Sequence, residues 1–419
     1  MPALPPPEPN PRPPGSTFAP FRYPAFRAIW IANLWSSLGA TIQSVGAAWL
    51  MTDLSHSHQM VALVQASTTI PIMLFGVPAG AIADNFDRRR VMLTAQIGMF
   101  IAATALALAT WADSMTPWLL LAFTLLIGIG TALNSPAWQA SVRQQVAPGD
   151  LPQAISLNSI SFNLARSVGP ALGGLLISLW SVSLAFAVNA VSFIGMIVVL
   201  WRWNPGTPPP ARDRMLPAIA LGLRFCASSP ALRKVLVRGA ALGFGMAGYQ
   251  ALMPNVVRDV LHGDELDFGI LLGAFGVGSI IAALFVTPAR RRWGSEAMMM
   301  VSTIGFALAL LMLAQSHTLL IALPATLLAG AGWVSGLTSL NVAMQMRSPD
   351  AILGRCLSIY QAVTFGGMAL GSAGWGMLAD WRDLPFALHA AGAFLLLSYG
   401  LLRWLAPMPG PQEGRIAAT

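Results

Sequence analysis

The chain has 419 residues, 55% of them hydrophobic and only 10% charged, with 24 basic against 16 acidic side chains and a formal charge of +8. Soluble globular domains carry about 25% charged residues, so this composition excludes a water-exposed surface over most of the molecule. The surplus of base does not indicate nucleic acid, because the arginines punctuate apolar runs at intervals instead of collecting on one face.

Residues 1–20, MPALPPPEPNPRPPGSTFAP, are too rich in proline for a helix and hold no apolar core. They are expected to form a disordered tail, neither signal peptide nor transit sequence. A helix crossing the ~30 Å hydrocarbon core needs about 20 mostly apolar residues, since its backbone must be hydrogen-bonded internally. Twelve such runs follow, at 28–51, 60–83, 91–111, 118–138, 155–179, 184–201, 235–257, 268–286, 297–314, 319–342, 357–378 and 384–404. Span 1 carries Asn33, Ser37, Thr41 and Ser44, whose spacing sets them on one helix face that lipid would not select. Such a stripe either lines a pore or glues helices together.

Arg166 is the only basic residue well inside a span, where an arginine costs at least ~2.5 to 3.5 kcal/mol. It shares a face with Asn163 and Ser159 and is expected to point toward carbonyls, a pore or an anionic substrate. Snorkelling toward the interface is the other way to satisfy it. The stretch NPGTPPPARDR at 204–214 is the longest break in hydrophobicity, and residues 216–234 read as an amphipathic helix on the membrane surface. The chain therefore divides into a tail (1–20), a six-helix bundle (21–203), a linker with its surface helix (204–234), a second bundle (235–406) and a tail (407–419).

Charge sets the orientation, because short basic loops stay on the cytoplasmic side. With the N-terminus inside, all of the 24 basic residues fall on that side except Arg166, Arg258 and Arg382. Both termini are then cytoplasmic. A shift of 202 positions pairs Gly46 with Gly248, Gly76 with Gly278, Arg88 to Arg90 with Arg290 to Arg292, Gly128 with Gly330 and Gly130 with Gly332. The same shift pairs Ser156 with Ser358, Gly169 with Gly371 and Gly174 with Gly376. An offset of six spans preserves orientation, which is the parallel repeat of transporters whose site lies between their halves.

Three stretches carry a family resemblance: GAIADNFDRRR at 80–90, LNSPAWQASVRQQVAPGDLPQAISLNS at 133–159, and FNLARSVGPALGG at 162–174. From Phe21 to Trp404 the chain resembles the major facilitator superfamily, and within it the transmembrane-secretion-effector branch of siderophore and macrolide exporters. The resemblance implies an all-α membrane protein of twelve transmembrane helices in two pseudo-symmetric six-helix bundles. Gly80, Asp84, Arg89 and Arg90 match the superfamily signature between spans 2 and 3, while Asn85 and Asp87 depart from it. Asp84 with Arg88, Arg89 and Arg90 is then a candidate gate, though arginines there also serve topology alone. Gly169, Pro170, Gly173 and Gly174 resemble a bending motif in span 5 of exporters, with Gly169 and Pro170 as gating candidates. Small residues and a proline also suit ordinary close packing. The span-4 arginine of the superfamily is missing, with Thr124 in its place.

In the superfamily spans 1, 4, 7 and 10 line the central cavity. The resemblance puts Asn134 and Trp138, Tyr249 and Gln250, and Trp333, Thr338 and Asn341 there, beside Asn33, Ser37, Thr41, Asn163 and Arg166. Abundant methionine and aromatic residues suit a mostly apolar pocket for amphipathic drug-like or siderophore-like molecules. The expected function is secondary export across the cell (inner) membrane by a monomer, ion-gradient driven with protons as the candidate ion. A solute importer and a transport-inactive receptor or scaffold are the alternatives. No Walker motif is present, and His56, His58, His262, His317 and His389 form no enzymatic constellation with a carboxylate inside a span. Neither cofactor nor metal is expected. Cys226 and Cys356 stand far apart without metal-ligand spacing. No carboxylate lies at mid-membrane, which leaves the coupling residue unassigned, Asp53 and Asp259 being the nearest candidates.

Overall fold

The computed structural model describes residues 18–206, 215–349 and 352–408, with the side chains of Asp84, Met215, Leu216 and Ala218 outside that description. Residues 1–17 and 409–419 of the expected tails, most of the 204–214 break and the Asp84 carboxylate therefore lie outside the described residues; where the tails are described they are packed and not disordered, with Pro20 and Met408 buried. What is described is almost wholly helical. The helices are α1 (Pro24–Leu54), α2 (His58–Asn85), α3 (Arg88–Trp111), α4 (Pro117–Ser141), α5 (Leu151–Leu179) and α6 (Val182–Arg202). After them come α7 (Met215–Ser228), α8 (Pro230–Asn255), α9 (Glu265–Ala314), α10 (Leu319–Arg347), α11 (Leu353–Trp381) and α12 (Leu384–Leu405).

Local sequence fixes most of these starts. Ser57, Asp87, Thr116, Ser181, Ser229, Asp264 and Asp383 each accept a backbone amide of the turn that follows, satisfying a donor the helix itself leaves free. The Ser229–Pro230 pair ends the surface helix earlier than expected: α7 stops at Ser228, and Arg233 and Lys234 belong to the first turns of α8.

Eight helices are long and apolar enough to cross a membrane by composition: α2 to α6, α9, α10 and α12. The fold nonetheless has twelve spans. α9 is two of them, 265–293 and 295–314, turned through Gly294 at φ +83° and ψ +166° without an intervening loop. The other three are α1, α8 and α11, whose polar and glycine content dilutes their hydropathy because they pack at the centre of the molecule. The outer surface is paved with leucine, isoleucine and valine. Exposed tryptophans mark both rims, with Trp111, Trp118, Trp180 and Trp381 at one end and Trp201, Trp293 and Trp404 at the other. Two such belts are the mark of helices that end at membrane–water interfaces.

Helices α1 to α6 pack mainly on one another and α8 to α12 likewise, with α2 against α11 and α5 against α9 as the main contacts between the two groups. Most of the repeated glycines occupy equivalent crossings; Gly76 and Gly278 do not, since a Cβ on Gly76 meets only Ile72 of its own helix and one on Gly278 meets the Leu327 backbone of α10. A Cβ on Gly128 would press on Ser67 and Pro71 of α2, and one on Gly330 on Phe275 and Ser279 of α9. Gly130 and Gly332 face Met99 and Ser302; Gly169 and Gly371 face Thr41 and Phe244. Gly174 meets Gly269 of the other group, and Gly376 meets Gln59 and Ala62. The 202-residue shift is thus a repeat of packing, not of composition alone.

Candidate functional site

The two ends of the molecule differ in chemistry. At the carboxylate end, which carries Asp53, Asp259, Glu265 and Asp380 while Asp87, Asp150 and Glu296 lie at the other, side chains cross from one bundle to the other. Arg258 donates to Asp53 at 2.5 Å and to Thr52 Oγ1 at 2.7 Å, and Trp49 Nε1 donates to Glu265 at 3.0 Å. The carboxylate of Asp380 accepts from Ser57 Oγ at 2.5 Å and from the backbone N–H groups of His58 and Gln59 at 2.6 and 3.1 Å. Asp380 of α11 therefore caps α2 of the opposite bundle, where the helix dipole favours an anion. Burial pushes its carboxyl up, but the hydrogen bonds from Ser57, Gln59 and His58 outweigh burial and hold it below the usual carboxylate range. His58 completes the layer, with Nδ1 2.9 Å from Asp380 and Nε2 3.3 Å from Asp259. Below it Trp49 stacks on Phe268 at 5.9 Å, and the Gly174–Gly269 crossing closes α5 on α9.

At the arginine-bearing end the bundles part around a cavity of about 700 Å³. One wall is Asn85, Arg88, Gln139 and Arg143; the facing wall is Asn341, Gln345, Arg355 and Gln361, with Ile219 of α7 at the rim. Gln139, Arg143 and Gln361 are exposed, so the space opens to solvent. Among the described residues that line it there is no carboxylate. A cavity of this size holds a drug-sized molecule, and guanidinium groups bind planar anions with paired hydrogen bonds. The bundles are thus in contact at one end and parted at the other.

The residues expected in the pocket fall into three groups. Asn341 lines the cavity and accepts from Gln345 Nε2 at 2.5 Å; Arg88, expected as part of a gate, also lines it, donating to the Ala140 carbonyl at 3.2 Å. Arg166 and Trp333 meet at the bundle interface, the guanidinium 5.8 Å from the Trp333 ring and 5.6 Å from that of Phe162. The third group packs elsewhere. Tyr249 is 1% exposed and stacks on Phe275 at 5.0 Å inside its own bundle. Trp138 packs with Met92, Met196 and Trp203, because the face of α4 that meets the cavity is Pro136, Gln139 and Ala140. Thr41 donates to the carbonyls of Ser37, Leu38 and Ala165 and lies against Gly169. Asn163 donates to Ser159, while Asn33, Ser37, Asn134, Gln250 and Thr338 are half-buried and lie outside the lining. Of the gating candidates, Arg89 donates to the carbonyls of Leu200 and Trp201 and so caps α6. Arg90 is exposed beside Asp87, and the Pro170 carbonyl lies against Gly269 of α9.

Tyr249 tests this division. Its hydroxyl is buried without a hydrogen-bond partner, so deleting it removes a desolvated polar atom and little else. Tyr249→Phe is expected to leave transport unchanged and to hold or raise thermal stability, by about 1 kcal/mol, in a melting and flux comparison; a loss of flux alone would return Tyr249 to the pocket.

Gln139, Arg143, Gln345, Arg355 and Gln361 escaped the sequence analysis. The repeat holds the signal for two of them, since a shift of 202 carries Asn341 onto Gln139 and Gln345 onto Arg143. The fold also brings Cys226 of α7 beside Cys356 of α11; burial first, and the neighbouring thiol second, push the Cys226 thiol up. A buried thiol of that kind is protonated and inert.

The family model described as transmembrane secretion effector matches residues 15–416. Among curated proteins, the enterobactin exporter of Citrobacter koseri is 26% identical over 386 residues, covering 91% of this chain and 92% of its own. The enterobactin exporter of Escherichia coli O1:K1 is 26% identical over 383 residues, covering 91% of each chain. A bacterial homologue of the human lysosomal transporter Spinster, in an inward-facing and unoccupied conformation, superposes with a TM-score of 0.72 at 15% identity, over 97% of this chain and 100% of that one. A bacterial homologue of the iron transporter ferroportin, in an inward-facing state, gives a TM-score of 0.69 at 18% identity, over 90% and 98%.

Proposed function

The chain belongs to the transmembrane secretion effector family of the major facilitator superfamily, and on that footing we propose that it exports bulky organic anions from the cytoplasm by alternating access. It is a multi-pass membrane transporter. In this reading the arginine-bearing end faces the cytoplasm, as the distribution of basic loops requires. The solute enters the cavity there, the two bundles rock about the interface at α2–α11 and α5–α9, and the carboxylate end opens to release it. An ion gradient drives the cycle.

The observation that carries the proposal is the lining of the cavity, with Arg88, Arg143 and Arg355 on its walls and no described carboxylate among them. A cationic drug would meet like charge at Arg88, Arg143 and Arg355. The amphipathic-molecule expectation narrows accordingly: an aromatic or apolar body is compatible, and the charged group is acidic. Arg166 and Trp333 stand farther along the same path, eight residues beyond Asn341 on α10, or about 12 Å at 1.5 Å per residue.

The test is uptake into inside-out proteoliposomes of two fluorescent dyes of matched size, one sulfonated and one carrying quaternary ammonium, under an imposed ion gradient. The sulfonated dye is expected to accumulate and the ammonium dye to be excluded. Reversing charge with Arg143→Glu and Arg355→Glu together should weaken apparent affinity for the anion at least tenfold, since each rim charge pair is worth about 1 kcal/mol. Equal uptake of both dyes, or an anion affinity indifferent to these two changes, would overturn the substrate class. No uptake of any solute would overturn transport itself.

A further inference from the structure

We propose that His58 is a proton-binding site that holds the carboxylate end shut, so that acid on that side of the membrane favours the closed state. The geometry supplies the argument. Both ring nitrogens face carboxylate oxygens, Nδ1 toward Asp380 at 2.9 Å and Nε2 toward Asp259 at 3.3 Å. An ionised carboxylate can only accept, and a neutral imidazole has one donor and one acceptor nitrogen. Only the imidazolium donates to both. With a neutral ring, one carboxylate would confront a lone pair.

The three residues come from both bundles. His58 opens α2, Asp380 ends α11, and Asp259 lies in the π-helical turn Val256–Val260 that follows α8. When the carboxylate end opens, α2 parts from α11 and α8, and the imidazole loses both partners. The proton is therefore bound in the closed state and released in the open one. The other charged groups of this face are Arg258 with Asp53, Glu265 with the Trp49 indole, Asp264 and Asp267 in their capping pair, Asp383 with the Phe386 amide, Arg382 over the Phe386 ring at 4.1 Å, and the exposed Asp113. Three further imidazoles, His56, His262 and His317, are exposed there. Asp380, whose carboxyl is held low by its four donors, stays ionised as the medium acidifies. Imidazoles change charge between about pH 5 and 8. Of those at this face, among the described residues, His58 is the one set against carboxylates, and both of its partners belong to the opposite bundle.

His58 keeps its solvent access on this face, with 24% of its side chain exposed while the end is closed. A proton taken from the outer medium returns to it. The site tunes the conformational equilibrium without carrying a proton across, which separates it from any group that couples export to the gradient.

This inference rests on the alternating-access reading, and its test reports on both. Spin labels at Ser114→Cys and His317→Cys, both exposed on the carboxylate face in opposite bundles, would follow the distance across that end in nanodiscs from pH 8.5 to 5.5. For one linked proton the closed-to-open ratio is expected to rise as pH falls, with a slope approaching tenfold per unit. His58→Gln should flatten the slope. His58→Arg, permanently charged, should be closed at every pH, and Asp259→Asn should move the transition to lower pH. A slope in His58→Gln equal to that of the native chain, or a native chain indifferent to pH whose end opens with substrate, overturns the proton site alone. A distance that never changes in any variant overturns alternation, and this proposal with it.

Discussion

Arg166→Ala is expected to lower affinity for the transported anion thirtyfold or more and to bring its flux near background. The side chain sits on α5 with its guanidinium between the rings of Phe162 and Trp333, at 5.6 and 5.8 Å. Among the described residues no carboxylate pairs with it. Each ring face attracts the cation by about 0.5 to 2 kcal/mol. The two rings together offset much of the cost of an arginine within a span, at least ~2.5 to 3.5 kcal/mol, but they supply no opposite charge. An anionic solute supplies it on arrival. Removing one member of a desolvated charge pair costs about 2 to 5 kcal/mol, from which the thirtyfold lower bound follows at 1.4 kcal/mol per decade. Arg166→Lys retains the charge without the planar stack and should fall between the two. Equilibrium binding of the sulfonated dye, measured beside flux, separates a lost site from a stalled cycle; unchanged binding in Arg166→Ala would sink the assignment.

A second large effect is expected at Gly174. A Cβ there would stand 2.4 Å from the Glu265 carbonyl oxygen and 3.0 Å from Gly269 Cα, both backbone atoms of α9 that cannot swing aside. Valine forces α5 and α9 apart at the carboxylate end, at about 1 to 3 kcal/mol for an overpacked contact. The closed end should lose population five- to 150-fold relative to the open one. Because the clash lies between the bundles, insertion and the fold of each bundle should survive. The matched crossing at Gly376, against Gln59 and Ala62, should respond in the same direction. Gly195 is the control, since a Cβ there meets nothing within 4 Å. Label distances across the carboxylate end, read beside flux, decide the matter: Gly174→Val with an unshifted distance would mean that this crossing does not gate.

Much of the fold is legible in the sequence because its rules are local or periodic. Apolar runs of membrane length, Ser, Thr or Asp at helix starts, and glycines repeated at 202 positions each follow from backbone chemistry that one segment carries by itself. Faces are harder. A polar residue within a span is tolerated against another helix as well as beside water, so Thr41 of the span-1 stripe is spent on carbonyls of its own helix and on α5, while Gln139 faces the cavity one position from Trp138. Aromatic side chains mislead in the same way, for Tyr249 fills a core as well as it would a pocket. The closure at His58 was beyond sequence for another reason: Asp380 lies 322 residues away, and a carboxylate at a helix end looks like any interface residue until the partner helix is in place. Even α9 hid its length, since Gly294 lets two spans join where a loop was the natural expectation.

That join has a mechanical result. Elsewhere among the described residues, neighbouring spans are separated by at least two residues outside regular helix, and each such break can absorb a change of tilt. Between 265–293 and 295–314 the backbone offers one residue, and its φ and ψ lie in a region open to glycine alone. The first of these spans presses on α5 of the opposite bundle and on α10, and the second packs on α10 and α12. Any sway of the first is passed through this elbow to the helices behind it, so that the second bundle answers as a crank does to its arm.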